Sequence, residues 1–175
     1  MSSINKTQGI VIKKKELLNL DILITLLTKD FGKINILAKG IKKINSRRAP
    51  HIQTGNFINV IVSSKAEFYY LQESVLISGF SEIKKSSKKI SLLYYLFSIL
   101  DKLMPEAEKE EDVFRITLHF LINLSKIKNY DEKFIEKYLN LILKKLGYIR
   151  NSKKLNDLHK LIEDILNEKI PFFVI

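Results

Sequence analysis

Leu18-Asn-Leu-Asp-Ile-Leu-Ile-Thr-Leu-Leu-Thr-Lys-Asp-Phe-Gly-Lys-Ile-Asn-Ile-Leu-Ala38 decides the fold class of the first half of the chain. Leu18, Leu20, Ile22, Ile24 and Leu26 point one way, with Asn19, Asp21 and Thr25 between them. That period of two predicts a half-buried strand. Asp30-Phe31-Gly32-Lys33 predicts a turn in which Gly32 is free to take positive φ. Ile34, Ile36 and Ala38 then alternate with Lys33, Asn35 and Lys39, so the turn closes a hairpin. Working outward, residues 9–12 precede the hairpin as another short strand, and residues 57–62 and 68–77 follow it as two β-branched or aromatic runs. Five of the six glycines (9, 32, 40, 55 and 79) fall in this part, where turn chemistry calls for them. Five short strands in about eighty residues predict a small Greek-key barrel, whose closure leaves little exposed edge. A compact sandwich or an SH3-like barrel has the same strand count.

After Gly79 the period changes to that of a helix. Ser86 or Ser87 caps a run with Ile90, Leu93, Tyr94, Phe97 and Leu100 at helical spacing. Leu92, Tyr95, Leu96 and Ile99 make that run apolar nearly all round, as a central buried helix would be. Pro105 ends it through Met104. The acidic residues 106–112 suit the positive N-terminal end of a second helix, which carries Val113, Ile116, Phe120 and Leu124. Asp131 caps a third, with Phe134, Ile135, Tyr138, Leu139, Ile142 and Leu146 on its face and Gly147 at its C-terminal end. A fourth begins near Ser152, holds Leu155, Leu158, Ile162 and Ile165, and is stopped by Pro171, leaving residues 172–175 as an apolar tail. The expectation is an α+β chain. A five-stranded barrel occupies residues 1–80 and an all-α domain residues 81–175, packed directly without a linker.

The chain has 175 residues, 46% of them hydrophobic, enough to build a globular core. It has no cysteine, which excludes a disulfide framework, a thiol nucleophile and any cysteine-ligated zinc. No apolar run approaches the roughly 20 residues that cross a bilayer, and no apolar signal core follows Met1. A cytoplasmic location is expected. The net charge is +11, and its position says more than its size: residues 1–55 carry +8, residues 56–90 carry +2 and residues 91–175 carry +1. An excess set by genome composition would spread evenly; this one is concentrated in the first third, which points to a polyanionic partner.

Catalytic motifs are missing. His51, His119 and His159 lie in different elements with no paired histidine and no neighbouring carboxylate arrangement, and ordinary packing accounts for His119 between Leu118 and Phe120. Asp21 and Asp30 flank a strand and read as structural residues. There is no phosphate-binding glycine loop, dinucleotide fingerprint or nucleophile elbow, so neither an enzyme nor a cofactor is expected.

The positive signal is Ala38-Lys-Gly-Ile-Lys-Lys-Ile-Asn-Ser-Arg-Arg-Ala-Pro50. Lys39, Lys42, Lys43, Arg47 and Arg48 fall within ten residues, with no acid between Lys33 and Glu67. Gly40, Asn45, Ser46 and Pro50 mark an irregular surface connection between strands. Lysine supplies point charge, arginine a bidentate fork, and serine or asparagine a neutral donor, as phosphate recognition requires. Lys13, Lys14 and Lys15 at the end of the first strand extend the patch. Phe57, Tyr69 and Tyr70 are aromatic residues able to stack bases, though core packing is the favoured role for each. A solvated loop with no ligand is the plain alternative for the whole stretch.

These residues carry a resemblance. Residues 9–12, then Leu26-Leu-Thr-Lys-Asp-Phe-Gly-Lys33, then Leu37-Ala-Lys-Gly-Ile-Lys-Lys43 and Ser46-Arg47, resemble in order the N-terminal domain of the bacterial DNA repair family RecO. Tyr94-Tyr-Leu-Phe-Ser-Ile-Leu-Asp-Lys-Leu103 followed by Pro105-Glu106 is similar to the start of that family's helical domain. The resemblance implies an OB-fold joined to a helical domain, and a recombination mediator that binds single- and double-stranded DNA, promotes strand annealing and assists recombinase loading. It implies RecR and the acidic C-terminal tail of single-strand-binding protein as partners, the tail docking on the helical domain, and a nucleoid-associated location. It carries Lys39, Lys42, Lys43, Arg47 and Arg48 over as DNA contacts. The four-cysteine zinc module of many members is absent from this sequence, which is also shorter than the family norm.

On this reading the basic barrel holds the sugar–phosphate backbone and a near-neutral helical bundle serves partners. Replacing Lys42, Lys43, Arg47 and Arg48 by alanine is expected to weaken the salt dependence of binding without lowering thermal stability. Two other classes fit charge and fold: an RNA-binding barrel of translation or ribosome assembly, and an adaptor whose lysine-rich loop only keeps it soluble.

Overall fold

The computed structural model describes residues 3–170 apart from 19, 42–45, 47, 66, 67 and 130. Five strands, β1 (Ser3–Glu16), β2 (Ile22–Thr28), β3 (Gly32–Ala38), β4 (Phe57–Lys65) and β5 (Phe68–Ser78), close into a barrel in the order β1-β2-β3-β5-β4. β1 serves both halves of it. Residues 3–10 pair with β4 and residues 9–16 with β2, so Gly9 faces both Ile58 and Thr28. Gly9 is therefore not turn chemistry, as its composition class suggests, but a close approach. A Cβ there would stand 2.5 Å from Leu26 Cδ2. Past a bulge between Val11 and Lys13, β1 continues in register with β2, pairing Lys13 with Thr25, Lys14 with Ile24 and Lys15 with Leu23.

The β2–β3 hairpin forms as the alternation requires, with Ile24 opposite Ile36, Leu26 opposite Ile34 and Gly32 at φ 66°. Thr28 Oγ1 donates to the Gly32 carbonyl (2.8 Å) and accepts from Phe31 N (3.0 Å), which locks the turn. Leu18 and Leu20 do not belong to the strand. Leu20 has φ 54°, and both side chains are exposed, because β2 begins only at Ile22. The two aspartates are structural: Asp30 accepts from Thr7 Oγ1 at 2.6 Å, and Asp21 accepts from Gly40 N at 2.7 Å.

Between β3 and β5 the pairing is short and parallel, limited to Ile36 with Tyr69 and Leu37 with Tyr70. The β3–β4 connection supplies what those strands lack. Its Ile41 and Ile52 are fully buried in the cluster formed by Val11, Ile24, Leu26, Ile36 and Val62. The basic connection is thus anchored at both ends by isoleucines in the barrel core.

The chain divides into two compact units, residues 1–79 with 105–111, and residues 80–104 with 112–175. The second contains α1 (Ser81–Lys84), α2 (Ser87–Leu103), most of α3 (Glu111–Lys126), α4 (Glu132–Lys145) and α5 (Leu155–Leu166). The Ser86 side chain accepts from Lys89 N at the start of α2, and Met104, at ψ 130° before Pro105, ends it. Eight of its residues are buried, but Tyr94 is half exposed. The buried stripe of α3 runs through Val113, Phe114, Thr117, Phe120, Leu121 and Leu124, with Ile116 only partly covered. Phe120 meets Tyr138 of α4 edge-on, ring centroids 5.2 Å apart. Gly147 has φ 79° after α4, as its C-terminal position predicts.

α5 starts three residues later than the sequence suggests. Its first turn is satisfied from α4: Glu136 Oε2 accepts from Leu155 N at 2.9 Å, and Asn140 bonds both N and O of Lys153. Asn167, at φ 51°, ends it before Pro171, and the tail 171–175 lies outside the described residues. No helix among the described residues is long and apolar enough to cross a membrane.

Candidate nucleic-acid interface

The cations singled out from the sequence divide into three groups. Lys42, Lys43 and Arg47 lie outside the described residues. Lys13, Lys14 and Lys15 stand at the end of β1, where Lys13 and Lys15 are exposed and Lys14 Nζ reaches Gln53 Oε1 at 3.4 Å. In the pairing with β2, Lys13 and Lys15 share the outer face with Thr25 and Leu23. Lys39 follows β3, exposed, with Nζ 5.0 Å from the centroid of the Tyr70 ring.

Arg48 has a different occupation. Its Nη1 donates to the carbonyls of Leu71 (3.0 Å) and Gln72 (3.3 Å), and its Nη2 to that of Lys39 (3.2 Å). The guanidinium thus ties the connection to β5 just beyond its short pairing with β3. Removing it leaves three carbonyls without that donor, so a fourfold alanine replacement that includes Arg48 is now expected to lower stability. His51 continues the clamp through Nδ1, 3.1 Å from Ser74 Oγ, and Asn56 Nδ2 donates to the carbonyls of Pro50 and His51.

Beside these cations lies a groove on the outer face of β2, β3 and β5, lined by Leu23, Asn35, Leu37, Phe68, Tyr69 and Glu106, with the stem of Lys33 in its wall. Phe57 is buried at 9% exposure, on the face of β4 opposite the core residues Ile58 and Val60, whereas Phe68 is 67% exposed. The sequence reading missed Phe68 because an aromatic residue in a strand run fits either face; only the register fixes which.

One end of the groove is formed by an acidic strap. Residues 105–110 lie against the barrel as part of its unit, while Glu111 and Asp112 open α3, so only the end of the acidic run serves the helix start that its charge suggests. Ala107 N donates to the Lys33 carbonyl at 2.8 Å, and Asn35 Nδ2 donates to Glu106 Oε1 at 2.5 Å. A side chain at Gly32 would collide with the Glu108 backbone, so this glycine also makes room for the strap. Under it Lys33, expected on the polar face, is buried. The strap also changes the charge balance. With its four glutamates counted in the barrel unit, that unit carries thirteen cations and nine carboxylates, net +4, and the helical unit seventeen and ten, net +7. The helical part is not near-neutral.

The histidines need one correction. His159 does have a carboxylate neighbour: its Nε2 is 3.3 Å from Glu163 Oε1, and its Nδ1 is 2.9 Å from the Tyr95 hydroxyl. Burial, with the Glu163 charge adding to it, pushes the Tyr95 hydroxyl well above the usual tyrosine value. A phenol held protonated is a hydrogen-bond donor and not an activated base, so the chain joins α2 to α5.

The barrel residues match the family model described as Recombination protein O N terminal over residues 1–80. Across more of the chain, it is 26% identical over 144 residues to the DNA repair protein RecO of Caldanaerobacter subterraneus subsp. tengcongensis, covering 82% of this chain and 58% of that protein. The DNA repair protein RecO of a Thermoanaerobacter species is 28% identical with the same coverage, and that of Caldicellulosiruptor bescii is 29% identical over 71% of this chain and 51% of its own length. The chain therefore spans between about half and three fifths of the length of these relatives.

Proposed function

We propose that this chain, whose first 80 residues match the RecO N-terminal family model, is a DNA repair and recombination mediator, binding single- and double-stranded DNA without itself being an enzyme. The observation that carries this reading is the family match over residues 1–80, joined to a barrel whose outer face is rimmed by Lys13, Lys15 and Lys39. Lys42, Lys43 and Arg47 belong to the same basic connection and are proposed as further phosphate contacts. Arg48 supports them by holding the connection in place. Annealing follows if these cations reduce repulsion between two phosphate chains and let go readily; recombinase loading would follow from handing over such a strand.

The helical unit takes the partner role. Its cleft between α3 and α4 has an apolar floor of Ile127, Phe134 and Tyr138 flanked by Lys126 and Lys137. An acidic tail, such as that of single-strand-binding protein, is matched by these flanking lysines. RecR is proposed as the second partner from the family alone.

Fluorescence anisotropy of labelled single-stranded DNA at several salt concentrations, with an RNA competitor of equal length, tests the reading. Four or five phosphate contacts give a log–log slope near −3, from about −0.7 per contact. DNA bound at least as well as RNA with that slope supports the mediator. Binding that is absent near 150 mM salt, or selective for RNA through the 2′-hydroxyl, overturns it.

A further inference from the structure

We propose that the groove on the outer face of β2, β3 and β5 is a pocket for one unpaired DNA base, and that Glu106 gives it a preference for bases bearing an amino group. The inference rests on the DNA-binding reading above and adds to it which part of the strand faces the protein.

The walls are suited to a flat apolar ring. Leu23 and Leu37 are cross-strand partners, half-buried side by side. Phe68 stands next to them and leaves two thirds of its surface to solvent, while Tyr69, opposite Ile36, packs against the barrel core at the edge of the groove. A base stacked on an exposed aromatic ring removes apolar surface of both from water, whichever base it is.

The polar end is suited to a particular edge. Thr25 Oγ1 donates to Asn35 Oδ1 at 2.8 Å, so Asn35 must direct its amino group toward Glu106, where it donates at 2.5 Å. What the groove then offers is a carboxylate, which accepts hydrogen bonds and cannot donate. A carboxylate has about four lone-pair sites, and Asn35 uses one. Cytosine and adenine present an exocyclic amine to such an acceptor, and guanine an amine beside a ring N–H. Thymine presents a single N–H between two carbonyl oxygens, which the carboxylate repels. In a duplex the same amines are occupied by base pairing, so the pocket also favours single strands.

Charge fixes the orientation. Lys15 lies beside Leu23 in the β1–β2 register, and Lys39 follows β3, so phosphates are drawn to that rim. The strap, with four glutamates against Lys109, which pairs with Glu111, keeps a net negative charge that repels them from the opposite end. A base enters with its sugar–phosphate toward the lysines and its amino edge toward Glu106. The strap is held in place beforehand by the Ala107–Lys33 bond and by the space at Gly32, so little ordering remains for the ligand to impose.

The test measures binding of labelled (dC)12 and (dT)12 by the full chain, by Phe68→Ala and by Glu106→Gln, at three salt concentrations and pH 7.5. The wild-type chain is expected to bind (dC)12 about tenfold tighter than (dT)12. Glu106→Gln should bring the two within about twofold, chiefly by weakening (dC)12. Phe68→Ala should weaken both by roughly fivefold or more at an unchanged salt slope, since stacking involves no phosphate. Phe68 is exposed, and an unchanged melting curve confirms that the variant folds. Equal binding of (dC)12 and (dT)12 by the wild-type chain with its salt slope intact overturns the pocket and leaves the DNA-binding reading standing. A preference that survives Glu106→Gln overturns the role of Glu106. Failure to bind either oligomer overturns the pocket and the reading together.

Discussion

In the barrel unit thirteen lysines and arginines stand against nine carboxylates; in the helical unit seventeen stand against ten. By net charge the helices are the more basic half, yet the two units keep their cations in different company. On the helices Lys85 pairs with Glu82, Lys102 with Glu168, and Arg115 and Lys145 both with Asp112. In the barrel, Lys39 lies over an aromatic ring, Lys14 meets an amide, and Arg48 binds backbone carbonyls. Four of the barrel unit's carboxylates sit in one strap, 106–111, at one end of the groove. Net charge alone would point to the helices and not to the barrel proposed to bind DNA. What distinguishes the barrel is where charge collects around the groove: the strap's glutamates, with Lys109 paired to Glu111 among them, stand at one end and Lys15 and Lys39 lie toward the other, whereas the charges of the helices are interleaved in ion pairs.

The largest expected effect tests whether the core holds the basic connection. Ile52→Ala empties a fully buried position and should cost about 2–5 kcal/mol, read by urea unfolding. Segment-resolved hydrogen exchange should place the loss of protection in the barrel; loss centred on α2–α5 would break the comparison. Arg48→Ala should cost about 1–3 kcal/mol by removing its bonds to three carbonyls, with Arg48→Lys recovering only part. If Arg48→Ala leaves the urea midpoint unchanged while flattening the salt slope, Arg48 is a phosphate contact and not a clamp.

Smaller effects are expected on the helices. Tyr95 has its hydroxyl value raised in the folded state. Its contribution to stability is therefore complete below the ordinary tyrosine pKa of about 10 and is lost progressively as pH rises above it. Between pH 9 and pH 11 the wild-type chain should lose more stability than Tyr95→Phe, a difference that removes the background from lysine titration. The smallest effect concerns Asp112, whose carboxyl is held below its usual value by hydrogen bonds from Lys145 and Arg115. The pairing is present above pH 4 and is lost as pH falls, but it is exposed and screened. Asp112→Asn should leave the urea midpoint at pH 7 within experimental error; a clear drop would give the interleaved charges a structural weight not assigned to them here.

The barrel was legible in the sequence because residues 22–38 keep a period of two across a turn with glycine where positive φ is required. The same period misleads at Leu18 and Leu20, where alternation continues into a turn whose backbone leaves the β region. The strap was not legible. An acidic run ahead of a helix is locally consistent with capping, and its place beside β3 depends on Gly32 and Lys33, more than seventy residues earlier. Arg48 read as a phosphate ligand because composition shows a charged group and not its partners. Ile41, an apolar residue among cations, was a local sign that the connection is pinned to the core.

The most direct test of the account is to titrate the isotopically labelled full chain with (dC)12 and map backbone amide shifts. The account predicts the largest changes at Lys13, Lys15, Leu23, Leu37, Lys39 and Phe68, with α3 and α4 little affected. Changes centred on the helical unit, with the outer face of β2, β3 and β5 silent, would contradict it.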